Sequence, residues 1–273
     1  MHPLDGPRLK IRRVMQQIKT LREADLAFQE QADYRVIIAE LNPKSRKYAL
    51  RALVNVVPPL DLGICISEVA HHLRSALDGL VYQLGQSNGA TEEALTRTQF
   101  PIFLKQRVSG CKRPKRCRNK PPHFRCDAMR MIQPLCDEHQ TMIERLQPYR
   151  RGNLGKRGPL YLLHELNNAD KHRLLQVVGG KPTGYMVGGV WGNAPYPDYR
   201  ISLRAVFEDG AKVGRVAASD VHGQKVQMEQ SIVPYIAFWQ GCREVRGFGV
   251  GPTLSGIAEH VSGIVEGFAP EFG

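Results

Sequence analysis

The hydrophobic residues of this chain change period along its length, and that change restricts it to a mixed fold. In 8–31, Leu9, Ile11, Val14, Ile18, Leu21 and Leu26 recur at helical spacing among Lys, Arg, Gln and Glu. In 61–86, Ala70, Leu73, Leu77, Leu80, Val81 and Leu84 form a second apolar face, with Asp61 as N-cap and Gly85 as stop. Residues 128–147, 160–175 and 253–268 carry further helical patterns, the fourth opening at Pro159. Between the first two helices, two β-rich runs flank the turn residues Asn42, Pro43, Lys44 and Ser45, predicting a hairpin near 34–56. From about 176 to 245 the apolar runs become strand-like, with candidates at 185–191, 199–207, 211–219 and 224–232. The expected architecture is α+β: a helical bundle beside antiparallel strands, read as a single domain over 1–273 with a possible sub-boundary near 176–180.

A hydrophobic content of 42% in 273 residues supplies a proper core. The first residues lack the apolar stretch of a signal peptide, and no uncharged run has the density of a membrane span. A soluble, cytoplasmic protein is therefore expected. The net charge of +12 is concentrated: residues 105–130 hold ten basic side chains against one acid, Asp127. The loop at 105–127, with Lys112, Arg113, Lys115, Arg116 and Arg118 at its centre, would bind RNA or another polyanion through phosphate charge. Phe124 is its one aromatic residue, so base stacking there has little support.

Helix 160–175 breaks the pattern set by its neighbours. Leu163, Asn167, Asp170 and Leu174 fall in one row, which places two polar side chains on the face that should be buried. Helix 61–86 carries a matching polar row of Ser67, His71, Arg74 and Asp78. Packed together, the two helices would bring Arg74 and Asp78 to Asn167, Asp170 or His172. Such a cluster serves either as an internally bonded clamp or as a site where His172 exchanges protons and Arg74 steadies an anion.

Four phrases carry a resemblance: HLRSALDGLVYQL at 72–84, FPIF at 100–103, LQPY at 146–149 and LNNADKHRL at 166–174. They resemble a family of uncharacterised bacterial proteins. The last phrase is also remotely similar to the motif of HEPN domains, helical bundles that include metal-independent RNases of toxin and defence systems. That motif is an Arg, a following polar residue and a His on one helix. Here Asn168 and His172 match the polar residue and the His, while Asn167 stands at the Arg position. The resemblance implies a ribonuclease with His172 as general base on a ribose 2′-hydroxyl, assembled as a homodimer. The alternative is a non-enzymatic protein that binds a ligand or partner, with Asn167, Asp170, Asp78 and His71 holding helices together.

Cys111, Cys117, Cys126 and Cys136 are separated by five, eight and nine residues, without the short pair usual in zinc sites. They are weak zinc candidates, and no cofactor is expected. His164 and Glu165 begin a zinc-protease motif, but Asn168 replaces its second His. His164, Asn168 and His172 align as an incomplete metal row.

Overall fold

The computed structural model describes residues 2–106, 124–170, 176–180, 186–187, 190–191, 194–195, 199–200, 209–217, 230–232, 235–240 and 243–273. Its helices are α1 (Asp5–Gln31), α2 (Asp61–Ser87), α3 (Glu92–Leu95), α4 (Met129–Met131), α5 (Asp137–Arg145), α6 (Pro159–Asp170) and α7 (Val250–Gly267). The strands are β1 (Tyr34–Asn42), β2 (Lys47–Leu53), β3 (Gln176–Gly180), the two-residue β4 to β7 between Met186 and Arg200, β8 (Lys212–Ala217), β9 (Gln230–Ile232) and β10 (Tyr235–Gln240). They divide into two compact units interleaved along the chain. Unit 1 is Met1–Lys19, Cys65–Leu174 and Pro252–Gly273; unit 2 is Thr20–Ile64 and Leu175–Gly251. Three breaks besides the one at Leu174/Leu175 define them, so no linear cut near 176–180 separates the units.

Unit 1 is helical. Within it α1 and α2 pack antiparallel: Lys10 Nζ donates to Ser75 Oγ at 2.6 Å and Gln17 Nε2 to Glu68 Oε2 at 2.7 Å. α7 joins through Arg8, whose Nε and Nη2 donate to Glu266 at 2.8 and 2.6 Å. Val14, Leu73, Leu77, Leu80, Leu163, Leu166, Leu254 and Val261 are fully buried at the centre. A fully buried side chain of this size contributes about 1.5–3 kcal/mol. Of the residues expected on the apolar face of α1, Ile11, Val14, Ile18 and Leu21 are buried, whereas Leu9 and Leu26 are exposed, Leu9 because two residues before Ile11 is the opposite side of a helix.

Two helix boundaries depart from the sequence expectation. Gly85 does not stop α2. A Cβ there would come within 2.7 Å of Leu95 Cδ2, so its bareness serves packing. The stop is Gly89, at φ +74°, where Ala90 N donates to Gly85 O and Gly89 N to Gln86 O, the paired bonds of a Schellman end. The helix expected over 128–147 is two pieces, a π-turn (Phe124–Ala128) running into α4, then α5. Pro134 lies in the break: it has no N–H and drives Gln133 from helical geometry. The turn foreseen over 150–158 is a 3₁₀ segment, Pro148–Arg157, kinked at Gly152.

Unit 2 carries the sheets. β1 and β2 pair antiparallel around Asn42, whose Oδ1 accepts from Lys44 N and Ser45 N at 3.0 Å. The sheet order is β8-β2-β1-β9, and β3 pairs with β10. Neither β3 nor β10 was among the strand candidates. Trp239 of β10 lies under Arg246, whose guanidinium carbon is 3.7 Å from a ring centroid. Tyr34 is fully buried, donates to Val56 O at 2.6 Å, and has its hydroxyl pushed up to about 12 by desolvation. Asp25 accepts from Ile236 N at 2.7 Å, and burial raises its carboxyl.

Gly179 lies against Tyr34 so closely that a Cβ would sit 2.3 Å from its ring. Gly179→Ala is expected to cost about 3 kcal/mol, because the obstacle is a buried aromatic ring. Gly85→Ala meets only the end of a leucine and costs less than about 1 kcal/mol. Urea unfolding of the two variants checks the contrast.

Candidate functional site

Residues 100–103 cross unit 1 as irregular chain, with Phe100, Pro101 and Ile102 buried. Buried backbone outside regular structure needs side-chain partners for its polar groups. Three side chains supply them. Asp78 Oδ1 accepts from Phe100 N at 2.8 Å, and Arg74 Nη2 donates to Phe100 O at 2.6 Å. Gln147, wholly buried, donates through Nε2 to Pro101 O at 2.8 Å and accepts at Oε1 from Phe103 N at 3.0 Å. Arg74 and Asp78 also bond each other, Nη2 to Oδ1 at 2.9 Å and Nε to Oδ2 at 3.2 Å. The i,i+4 spacing on α2 sets the ion pair, and the pair then grips both polar groups of one peptide residue.

The strap forms one wall of a cleft of about 710 Å³. His71, Arg74, Ser75 and Asp78 of α2 line it, as do Phe100, Phe103, Asp127 and Met131. α6 supplies Tyr161, His164, Glu165, Asn167 and Asn168. Asn168 Nδ2 lies 2.9 Å from His164 Nε2, one turn back on the same helix. The Tyr161 and His164 rings have centroids 6.3 Å apart and planes 30° apart. Asn167 is 8% exposed, and its carboxamide has no hydrogen-bond partner among the described residues.

The two polar rows expected from spacing therefore share one cleft. Arg74, Asp78, His71, Asn167 and Asn168 all line it. Arg74 and Asp78 bond to each other and to Phe100, not to Asn167. Ser67, from the same α2 row, is instead buried with its hydroxyl unpartnered and is not among the lining residues. His172 lies outside the described residues, and nothing of the Asp170 side chain is described. Lys112, Arg113, Lys115, Arg116, Arg118, Cys111 and Cys117 also lie outside them, as does the side chain of Cys126. Cys136 is an exposed free thiol. Among the described residues no three His, Cys, Asp or Glu side chains are grouped to hold a metal ion. Also among them, no helix is long and apolar enough to cross a membrane.

Gln147 and Tyr161 were not foreseen. A lone glutamine before a proline carries no periodic signal, and a tyrosine at the margin of an apolar helix reads as packing.

A second groove, about 500 Å³, runs between α5 and α7 and is lined by Met142, Leu146, His260, Gly263, Ile264 and Phe268. Burial, and then the charge of Arg151, lower the His260 pKa.

No protein-family profile matches the chain, and comparison with curated proteins and with solved structures gives no match.

Two predictions follow from this geometry. Gln147→Leu removes the bonds to Pro101 and Phe103 and should cost about 2–3 kcal/mol. An Arg74→Met, Asp78→Asn double-mutant cycle in urea should give a coupling of about 1–2 kcal/mol, because the pair shares Phe100. For His260 the folded state resists protonation, so the unfolded chain binds more protons as pH falls through the ordinary histidine value of 6.5. Stability should thus drop on acidification from pH 7, and His260→Gln should reduce that drop in pH-dependent thermal melts.

Proposed function

We propose that this is a cytoplasmic ligand-binding protein whose cleft beside α2 and α6 receives a small polar molecule. The observation that carries this reading is the open cleft lined by Asn167, a buried residue whose carboxamide has no partner among the described residues. Its volume lies within the range of small-molecule sites, and its lining mixes aromatic and hydrogen-bonding side chains. Arg74 and Asp78 serve as the fixed frame that holds the strap. A ligand that bonds Asn167 exchanges water for a fixed donor and acceptor at the cleft wall.

A second reading is a HEPN-like, metal-independent ribonuclease, for which the common placement of Asn168, His71, His164 and Arg74 in one cleft speaks. In that reading His172 is the general base, the basic segment with Lys112, Arg113, Lys115, Arg116 and Arg118 holds RNA, and the active form is a homodimer. Arg74 weakens it, because two of its nitrogens already serve Asp78 and Phe100.

Saturation-transfer NMR separates the two. Protein is mixed with adenosine, uridine, nicotinamide, glucose and an N-acetyl amino-acid amide. Transfer to at least one compound is expected, and it should fade in Gln99→Trp, a bulky change at an exposed position lining the cleft. No transfer, or equal transfer in the variant, would overturn the ligand reading. Cleavage of total RNA in EDTA by wild type, lost in folded His172→Ala, would establish the ribonuclease instead.

A further inference from the structure

We infer that the ligand of this cleft is a nucleobase, read on its donor–acceptor edge by Asn167 and stacked on the aromatic lining. This rests on the ligand-binding reading and adds the ligand's chemical class. A carboxamide presents an N–H donor and a carbonyl acceptor side by side in one plane. Its full complement is a planar group with an acceptor and a donor at the same spacing. The N7 acceptor and N6 amino donor of adenine form such an edge, and asparagine pairs with it through two bonds.

Three observations select a base over other amide-like groups. Asn167 is 92% buried by its 8% exposure, and its amide has no partner among the described residues, so it is held ready for an incoming edge. Asn168, its neighbour, is already committed to His164 and does not compete for the same edge. Phe103, Tyr161 and His164 are half-buried in the lining of the same cleft, and aromatic faces beside a hydrogen-bonding amide are the combination by which unstacked bases are bound. The charge also discriminates. Arg74 is matched by Asp78, and Asp127 and Glu165 line the cleft as well, so among the described residues the lining is not built around a phosphate. The recognised group is the uncharged base.

Adenosine is the probe, titrated by calorimetry into wild-type protein and into Asn167→Leu. Saturable binding is expected in wild type, with an affinity loss of about tenfold or more in the variant, the loss that one bidentate base contact predicts. 7-Deazaadenosine, which lacks the N7 acceptor, should bind wild type more weakly than adenosine and bind Asn167→Leu no differently from adenosine. Because the Asn167 side chain makes no bond among the described residues, Asn167→Leu should keep or raise the urea midpoint, so lost binding cannot be ascribed to unfolding. Equal adenosine affinity in wild type and variant, or no adenosine binding at all, would overturn the proposal. Transfer to glucose or to the amino-acid amide without adenosine binding would do so while leaving the ligand reading intact. The base can come from a free nucleoside or from a single strand. Oligoadenylate binding at least tenfold tighter than adenosine, with steep salt dependence, assigns it to RNA; equal affinities assign it to the nucleoside.

Discussion

The strap at 100–103 is the constraint on which the architecture of unit 1 depends. A buried segment without helix or strand partners cannot satisfy its own peptide groups, and each one left bare costs about 1–3 kcal/mol. Arg74, Asp78 and Gln147 meet that need from α2 and from the end of α5, at distances of 2.6 to 3.0 Å. The strap in turn holds Phe100 and Ile102 in the core and leaves Phe103 half-buried at the cleft wall. Removing any one of the three side chains affects the core and the cleft together.

This accounts physically for three of the four phrases that drew attention in the sequence. FPIF is the strap, HLRSALDGLVYQL carries the ion pair that grips its first residue, and LQPY carries the glutamine that grips the next peptide groups. They are separated along the chain by 16 to 43 residues, yet they form one hydrogen-bonded unit. The fourth phrase lines the cleft beside that unit through Asn167 and Asn168. A polar group used for structure is bonded within the protein, whereas Asn167 is buried with no partner for its side chain among the described residues, which is the arrangement suited to a ligand.

Glu144 shows how the same economy extends beyond the strap. It is 9% exposed and accepts from Gln106 Nε2, Tyr149 Oη and Arg150 Nη2. A buried carboxylate is tolerated because several donors converge on it. His139 is likewise buried and lies between Asn88 Nδ2 at 3.1 Å and Glu271 Oε2 at 3.0 Å, which ties α5 to the C-terminal 3₁₀ turn Ala269–Phe272. Among its described residues unit 1 is thus an apolar bundle whose buried side-chain polar atoms have partners, except Ser67 Oγ and Gln17 Oε1.

Periodicity in the sequence determined the long helices α1, α2 and α7, the buried faces of α2 and α7, the buried row Ile11, Val14, Ile18 and Leu21 of α1 but not Leu9 or Leu26, and the existence of two polar rows on α2 and α6. These are local properties: residues three and four apart share a face whatever the rest of the chain does. The break at Pro134 was also written locally, although the apolar run around it masked the signal. β10 was missed because a short apolar run has no period that separates strand from core helix. Only the tertiary structure decided what the polar rows do. Whether Arg74 meets a ligand or a carbonyl depends on a segment 26 residues away, and whether Asn167 finds a partner depends on which side chains packing brings within about 3 Å. Hydrogen bonds are short and directional, so their pairing is fixed by three-dimensional contact and leaves no spacing in the sequence from which it can be read.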